Sequence, residues 1–206
     1  MKFDLICMGR AAVDLYGEQP GARLEDQSSF AKYLGGCPAN IAVGASRLGL
    51  RAAMLTRVGD EANGRFVRES LSAEGVDVSH VRTDPRRLTA LVFLAIKDRE
   101  SFPLVFYRHD CADMAVSADD FDETFLGSAK ALLVSGTHFS KPNLDAMSRK
   151  AMRLARKHGG RVIVWADGWI RASSPRPSKR VRASAWTSSS ANWPSRWITP
   201  RIAWEM

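Results

Sequence analysis

The chain is 206 residues long and 45% hydrophobic, with 30 Lys plus Arg against 22 Asp plus Glu and a formal net charge of +8. Cys7, Cys37 and Cys111 are odd in number and far apart, with no histidine at ligand spacing, which argues against a disulfide framework and against a metal site. The longest apolar runs, such as Leu91 to Ile96, fall far short of a membrane span, and Met1-Lys2 leads into a strand containing Asp4 rather than a secretory signal, so a cytoplasmic protein with no membrane partner is expected.

In chain order, Asp4 to Met8 reads as a first strand and Ala11 to Tyr16 as another. Gly35-Gly36-Cys37-Pro38-Ala39-Asn40 reads as a ligand-cradling loop running into a helix. Paired glycines let backbone approach a ligand with no Cβ in the way, and Pro38 suits a first helical turn, where its missing N–H would be an orphan donor. The helix is predicted over Pro38 to Leu48, with Ile41, Ala45 and Leu48 as its buried stripe and Gly49 as its stop. Asn40 in its first turn can offer an amide donor and acceptor to a polyol.

A strand from Ala52 to Val58 comes next, and Gly59-Asp60-Glu61 turns the chain into a helix ending near Ala73, entered at about Gly64 and capped by Asp60. Leu88 to Ile96 and Leu104 to Arg108 pattern as antiparallel strands around a turn at Lys97-Asp98-Arg99-Glu100. Ala131 to Ser135 is a further strand, Pro142 to His158 a helix with Ala146, Leu154 and Ala155 inward, and Arg161 to Val164 a last strand. This alternation with short connections predicts an α/β domain with a largely parallel sheet. Lys32 is expected to face solvent, and His80, His109, His138 and His158 to be surface or satisfied structural residues.

From Trp165 onward the composition changes. The last 42 residues hold all six tryptophans, eight Ser, four Pro and seven Lys plus Arg against only Asp167 and Glu205, with no Leu, Phe or Tyr. Most of the positive charge therefore sits there, so the basic balance is poor evidence for nucleic-acid binding by the folded part. A run such as Ser173-Ser174-Pro175-Arg176-Pro177-Ser178-Lys179-Arg180 cannot bury enough apolar surface to offset its ordering entropy. Residues 165–206 are expected to be an aberrant, disordered basic tail arising from a frameshift near residue 165. The competing reading is a genuine extension that clamps nucleic acid, against which the tryptophans show no spacing that lines one face.

The pattern Gly-Gly-x-Pro-x-Asn-x-Ala from Gly35 to Ala42, then Gly49 and Gly59, resembles the N-terminal signature of the phosphofructokinase-B, or ribokinase-like, carbohydrate kinases. Further likeness is carried by Met8-Gly9-Arg10, Val13-Asp14-Leu15-Tyr16-Gly17, Thr56-Arg57-Val58-Gly59-Asp60-Glu61, Phe106-Tyr107-Arg108, Cys111-Ala112-Asp113-Met114 and Gly136-Thr137-His138, and runs from about residue 3 to residue 164. Within the family these residues are most similar to the branch that phosphorylates 5-dehydro-2-deoxygluconate in inositol catabolism; 2-dehydro-3-deoxygluconate, ribose and fructose kinases are the alternatives.

The resemblance implies a ribokinase-like α/β fold, a mostly parallel sheet flanked by helices, with a small β-lid from about residues 11–17 and 88–108, truncated at the C-terminal side. It implies ATP and Mg2+ as cofactors and a small sugar acid as partner. Asp14 and Asn40 would hold hydroxyls, the Gly35 and Gly36 backbone would approach the ligand closely, and Arg108 would fork a carboxylate, with Arg10 as a second cation. A strand-end salt bridge stays open for Arg108. The family's Gly-Ala-Gly-Asp loop, whose aspartate takes the hydroxyl proton, has no counterpart in the sequence, nor has the nucleotide site. No catalytic residue is therefore assigned, and the chain is expected not to transfer phosphate by itself. A non-catalytic fragment, able to form a homodimer through its lid strands, is the rival reading.

Overall fold

The computed structural model describes residues 1–98 and 101–165. Residues 166–206 of the expected tail and Arg99-Glu100 of the expected turn lie outside the described residues, whereas Trp165, expected to begin the tail, ends the last strand opposite Ser135. Five strands, β1 (Phe3–Met8), β4 (Ala52–Gly59), β5 (Asp77–Asp84), β8 (Ala129–Ser135) and β9 (Arg161–Trp165), form a sheet in the order β5-β4-β1-β8-β9. Every pairing in it is parallel. Strand residues alternate between two cores, as side chains on a pleated backbone must. Ile6, Met8, Leu55, Leu132 and Val134 face one core together with Phe121, Phe125 and Leu144. Cys7, Met54 and Leu133 face the other with Ala39, Ala42, Val67 and Leu71. The helices responsible are α1 (Cys37–Arg47) and α2 (Ala62–Ala73) on one face, and α3 (Glu123–Gly127) and α4 (Pro142–Lys157) on the other. Burial on both faces raises the Cys7 thiol pKa to about 12, leaving it inert.

A second sheet of four strands stands apart in the order β3-β2-β6-β7, from β2 (Ala12–Gly17), β3 (Phe30–Gly35), β6 (Ala90–Leu94) and β7 (Leu104–Tyr107). β6 and β7 are antiparallel as expected, and β2 pairs antiparallel with β3 but parallel with β6. The turn between β6 and β7 is held by Lys97 N–H donating to the Ser101 carbonyl at 3.1 Å and Ser101 N–H to Asp98 Oδ1 at 2.7 Å.

Several sequence expectations are corrected. β3 and β5 were not anticipated. Of the expected α1 stripe Ala45 is buried and Ile41 is half-buried against the core, but Leu48 is 66% exposed, because α1 lays Ala39, Ala42, Val43 and Ala45 against the sheet. On α4 the inner stripe is Leu144, Ser148, Ala151 and Ala155, and Ala146 is exposed. The cap of α2 is Glu61, not Asp60, and the helix starts at Ala62: the Glu61 carboxylate accepts from Asn63 N–H at 2.6 Å, Gly64 N–H at 3.2 Å and Thr89 N–H at 2.9 Å. The third bond ties the helix start to the entry of β6, a tertiary partner that local sequence does not reveal. At the far edge β9 presents Ile163 and Val164 43% and 45% exposed.

Candidate functional site

In parallel α/β sheets ligands bind outside the carboxyl ends of the strands. Here β1 ends into Gly9-Arg10, β8 into the 3-10 turn Gly136–Phe139, and β4 into Gly59-Asp60, all at one edge of the large sheet. The lid connects directly to that edge, since Arg10 and Ala11 lead into β2 and Gly35-Gly36 lead from β3 into α1.

Cross-strand partners share a face, and the register puts Asp14 opposite both Tyr33 and Val92, with Val92 opposite Phe106. Asp14, Tyr33 and Phe106 therefore line one lid face, while Phe30, Phe93 and Tyr107 contact edge to face on the other. The glycines make room on the Asp14 face. A Cβ on Gly35 would stand 2.0 Å from Asp14 Oδ1, so only glycine leaves the carboxylate in place. Gly36 has φ 95°, and its Cβ would stand 2.4 Å from the Arg10 carbonyl oxygen. Asn40 is exposed in the first turn of α1, its N–H donating to the Gly36 carbonyl at 3.0 Å.

Two guanidinium groups complete the cluster. Arg10 Cζ lies 5.2 Å from the Phe106 ring centroid, a cation–π contact that joins the sheet edge to the lid. Burial holds the Arg10 pKa below its ordinary value, the nearby Arg108 charge adds to this, and Asp113 and Asp14 oppose it. Burial raises the Asp14 pKa, with Arg10 working against the shift. Arg108 donates from Nε and a terminal nitrogen to Asp113 Oδ2 at 3.1 and 2.6 Å. The salt bridge left open from the sequence is thus present. Arg108 also lines a cleft of about 540 Å³ whose other charged residues are Arg87, Asp110 and Lys141. Excess positive charge in a cleft attracts anions. A larger cleft of about 700 Å³ opens on the other lid face, beside Leu91, Phe93 and Tyr107.

The fold therefore brings Arg10, Asp14, Gly35, Gly36 and Arg108 together and leaves Asn40 at the rim. It adds two residues that sequence reasoning missed. Asp113 is 1% exposed, and its Oδ1 has no hydrogen-bond partner among the described residues. His138 is fully buried with neither ring nitrogen partnered among the described residues, which corrects the expectation of a surface or satisfied histidine. Burial, Arg108 and Arg10 push its pKa down to about 3, so the imidazole is neutral. Among the described residues no group of three or more His, Cys, Asp or Glu could hold a metal ion, and no helix is long and apolar enough to cross a membrane.

The family model described as pfkB family carbohydrate kinase matches residues 2–183. A 5-dehydro-2-deoxygluconokinase of Halalkalibacterium halodurans is 39% identical over 168 residues, covering 81% of this chain and 50% of the relative. The protein of that name from Bacillus subtilis is 36% identical over 167 residues, covering 80% and 51%. The chain thus spans about half the length of the curated relatives it matches. Among solved structures, a PfkB protein from Polaromonas sp. JS666 superposes with a TM-score of 0.75 at 31% identity, covering 80% of this chain and 56% of that one. A sugar kinase from Pyrococcus horikoshii in complex with ATP gives 0.71 at 26%, covering 78% and 52%.

Proposed function

The chain belongs to the pfkB family of carbohydrate kinases, and from that premise we propose that it carries the sugar-acid half of an ATP-dependent kinase site, with 5-dehydro-2-deoxygluconate as ligand. The observation that carries this reading is the pair of largely buried guanidinium groups, Arg10 and Arg108, within electrostatic reach of each other and of Asp14. Asp113 and Asp14 already oppose that like-charge pair; a ligand carboxylate would add a charge-assisted contact to the guanidinium groups that a neutral ribose or fructose cannot make. Asp14 and Asn40 then take hydroxyls, and Gly35 and Gly36 keep the wall thin. The close isomer 2-dehydro-3-deoxygluconate carries the same carboxylate and is the second candidate. Such a kinase works where ATP is abundant, in the cytoplasm.

Titration calorimetry with 5-dehydro-2-deoxy-D-gluconate and with neutral 2-deoxy-D-glucose tests the reading. The acid is expected to bind at least about tenfold tighter, since a charge-assisted contact is worth ~1.5–3 kcal/mol; equal affinities count against it.

ATP and Mg2+ would supply the phosphoryl group and the neutralising charge in a complete kinase of this family. No Gly-Ala-Gly-Asp loop or other phosphate-cradling signature occurs in the 206 residues. The Gly35-Gly36 pair is already committed to Asp14 and the Arg10 carbonyl. The chain by itself is therefore expected to bind the acid without phosphorylating it. Incubation with ATP, magnesium and the acid, followed by product detection, checks this; turnover above a blank without protein refutes it. The exposed β7 edge, Leu104 to Tyr107, offers a second copy of the chain a strand to pair with. Sedimentation velocity over a concentration series reads that dimer, and a monomer at every concentration counts against it.

A further inference from the structure

Four buried side-chain atoms without partners among the described residues belong to one electrostatic neighbourhood: Asp113 Oδ1, Arg10 Nε and both ring nitrogens of His138. Buried polar atoms left unpaired are costly, and each calls for a reason. Their capacities are complementary. A neutral imidazole has one N–H donor and one nitrogen acceptor, Asp113 Oδ1 is an acceptor and Arg10 Nε–H a donor. Two hydrogen bonds would satisfy all four atoms.

We propose that His138 is a positioning residue of the acid site, whose imidazole bridges Asp113 Oδ1 and Arg10 Nε once a carboxylate is held between Arg10 and Arg108. This rests on the acid-binding reading above. Arg108 already donates to Asp113 Oδ2 at 2.6 Å, so the bridge completes a continuous chain from Arg108 through Asp113 and His138 to Arg10. The carboxylate screens the two guanidinium groups from each other and lets Arg10 turn its Nε–H toward the ring. His138 never touches the anion; it fixes the two groups that do. Because the ring is neutral, it adds no third positive charge beside the arginines, which a lysine there would do. Small polar networks of this kind gain rigidity when every member is satisfied.

The direct test is long-range 1H–15N NMR of the His138 ring in the full chain, free and saturated with 5-dehydro-2-deoxy-D-gluconate. The expected result is a neutral ring in both states, with both nitrogens moving to hydrogen-bonded shifts when the acid is added. Unchanged shifts at saturation would overturn the proposal. Calorimetry on variants gives a second readout. His138→Leu is expected to weaken the acid by about tenfold or more while leaving 2-deoxy-D-glucose unchanged, and His138→Gln, which keeps a donor and an acceptor, to stay within about threefold. Acid binding by His138→Leu equal to the unsubstituted protein would overturn the proposal and leave the acid reading standing. No preference for the acid in the unsubstituted protein would overturn both. Should His138→Leu fail to fold, the NMR result on the unsubstituted protein decides.

Discussion

Arg108→Leu is expected to lower the stability of the folded protein by about 3–5 kcal/mol, because it strands a buried carboxylate. Asp113 is 1% exposed, and its recorded hydrogen bonds among the described residues both come from Arg108. The contrast with surface pairs is large. Arg23 and Asp26 sit 2.6 Å apart with side chains 65% and 49% exposed, and a pair of that kind is worth ~0–1 kcal/mol. Distance therefore does not decide the effect; desolvation of the carboxylate does. Arg108→Lys keeps the charge but loses the planar fork, so it should fall between the two. In a double variant, Arg108→Leu with Asp113→Leu, much of the loss should return, since no charge is then left unpaired. Denaturant midpoints of the three variants check this, and an Arg108→Leu protein within about 1 kcal/mol of the parent would refute it. The same substitution removes the proposed carboxylate fork, so acid binding should be lost in whatever fraction remains folded.

Gly36→Ala should be nearly as damaging, for a steric reason. With φ 95° and ψ 122° the residue occupies backbone space that side chains rarely enter, at a cost of ~1–3 kcal/mol. Its new Cβ would also meet the Arg10 carbonyl oxygen at 2.4 Å and the Ala11 Cα at 3.2 Å, backbone atoms that cannot swing aside. Overpacking adds ~1–3 kcal/mol, and relief requires α1 to shift from the strand end that carries Arg10. Gly49→Ala is the control. Its φ of 84° is equally left-handed, but nothing lies within 4 Å of the added Cβ, so about 1–2 kcal/mol is expected. Thermal denaturation of both variants separates the contributions; equal losses would mean that the Arg10 carbonyl contact is unimportant.

What could be read from the sequence followed the range of the forces involved. Helix starts and stops at Pro38, Gly49 and Pro142 and the buried strands around Ile6, Met54 and Leu133 are fixed by local chemistry and were legible. The strands β3 and β5 were not, because Phe30-Ala31-Lys32-Tyr33 and Asp77-Val78-Ser79-His80 lack clean alternation, one in the lid and one at a sheet edge. Of the expected stripes of α1 and α4, Ala45, Ile41, Ala155 and Leu154 lie on the cores, whereas Leu48 and Ala146 are exposed and small residues such as Ala42, Ser148 and Ala151, which hydrophobicity underweights, take the close-packed positions. Glu61 displaced Asp60 as the cap because Thr89, 28 residues away, shares its carboxylate. Asp113 and His138 join the site only through tertiary approach. Nothing in Cys111-Ala112-Asp113-Met114 or Gly136-Thr137-His138 announces which nitrogens and oxygens end up without water.

A crystal of the protein soaked with 5-dehydro-2-deoxy-D-gluconate tests the central claim most directly. The account predicts the ligand carboxylate within about 3 Å of the Arg108 and Arg10 guanidinium groups and its hydroxyls on Asp14, against the Gly35-Gly36 wall. A ligand bound in the cleft beside Phe93 and Tyr107, or one lying in the cradle with its carboxylate turned away from both arginines, would contradict it.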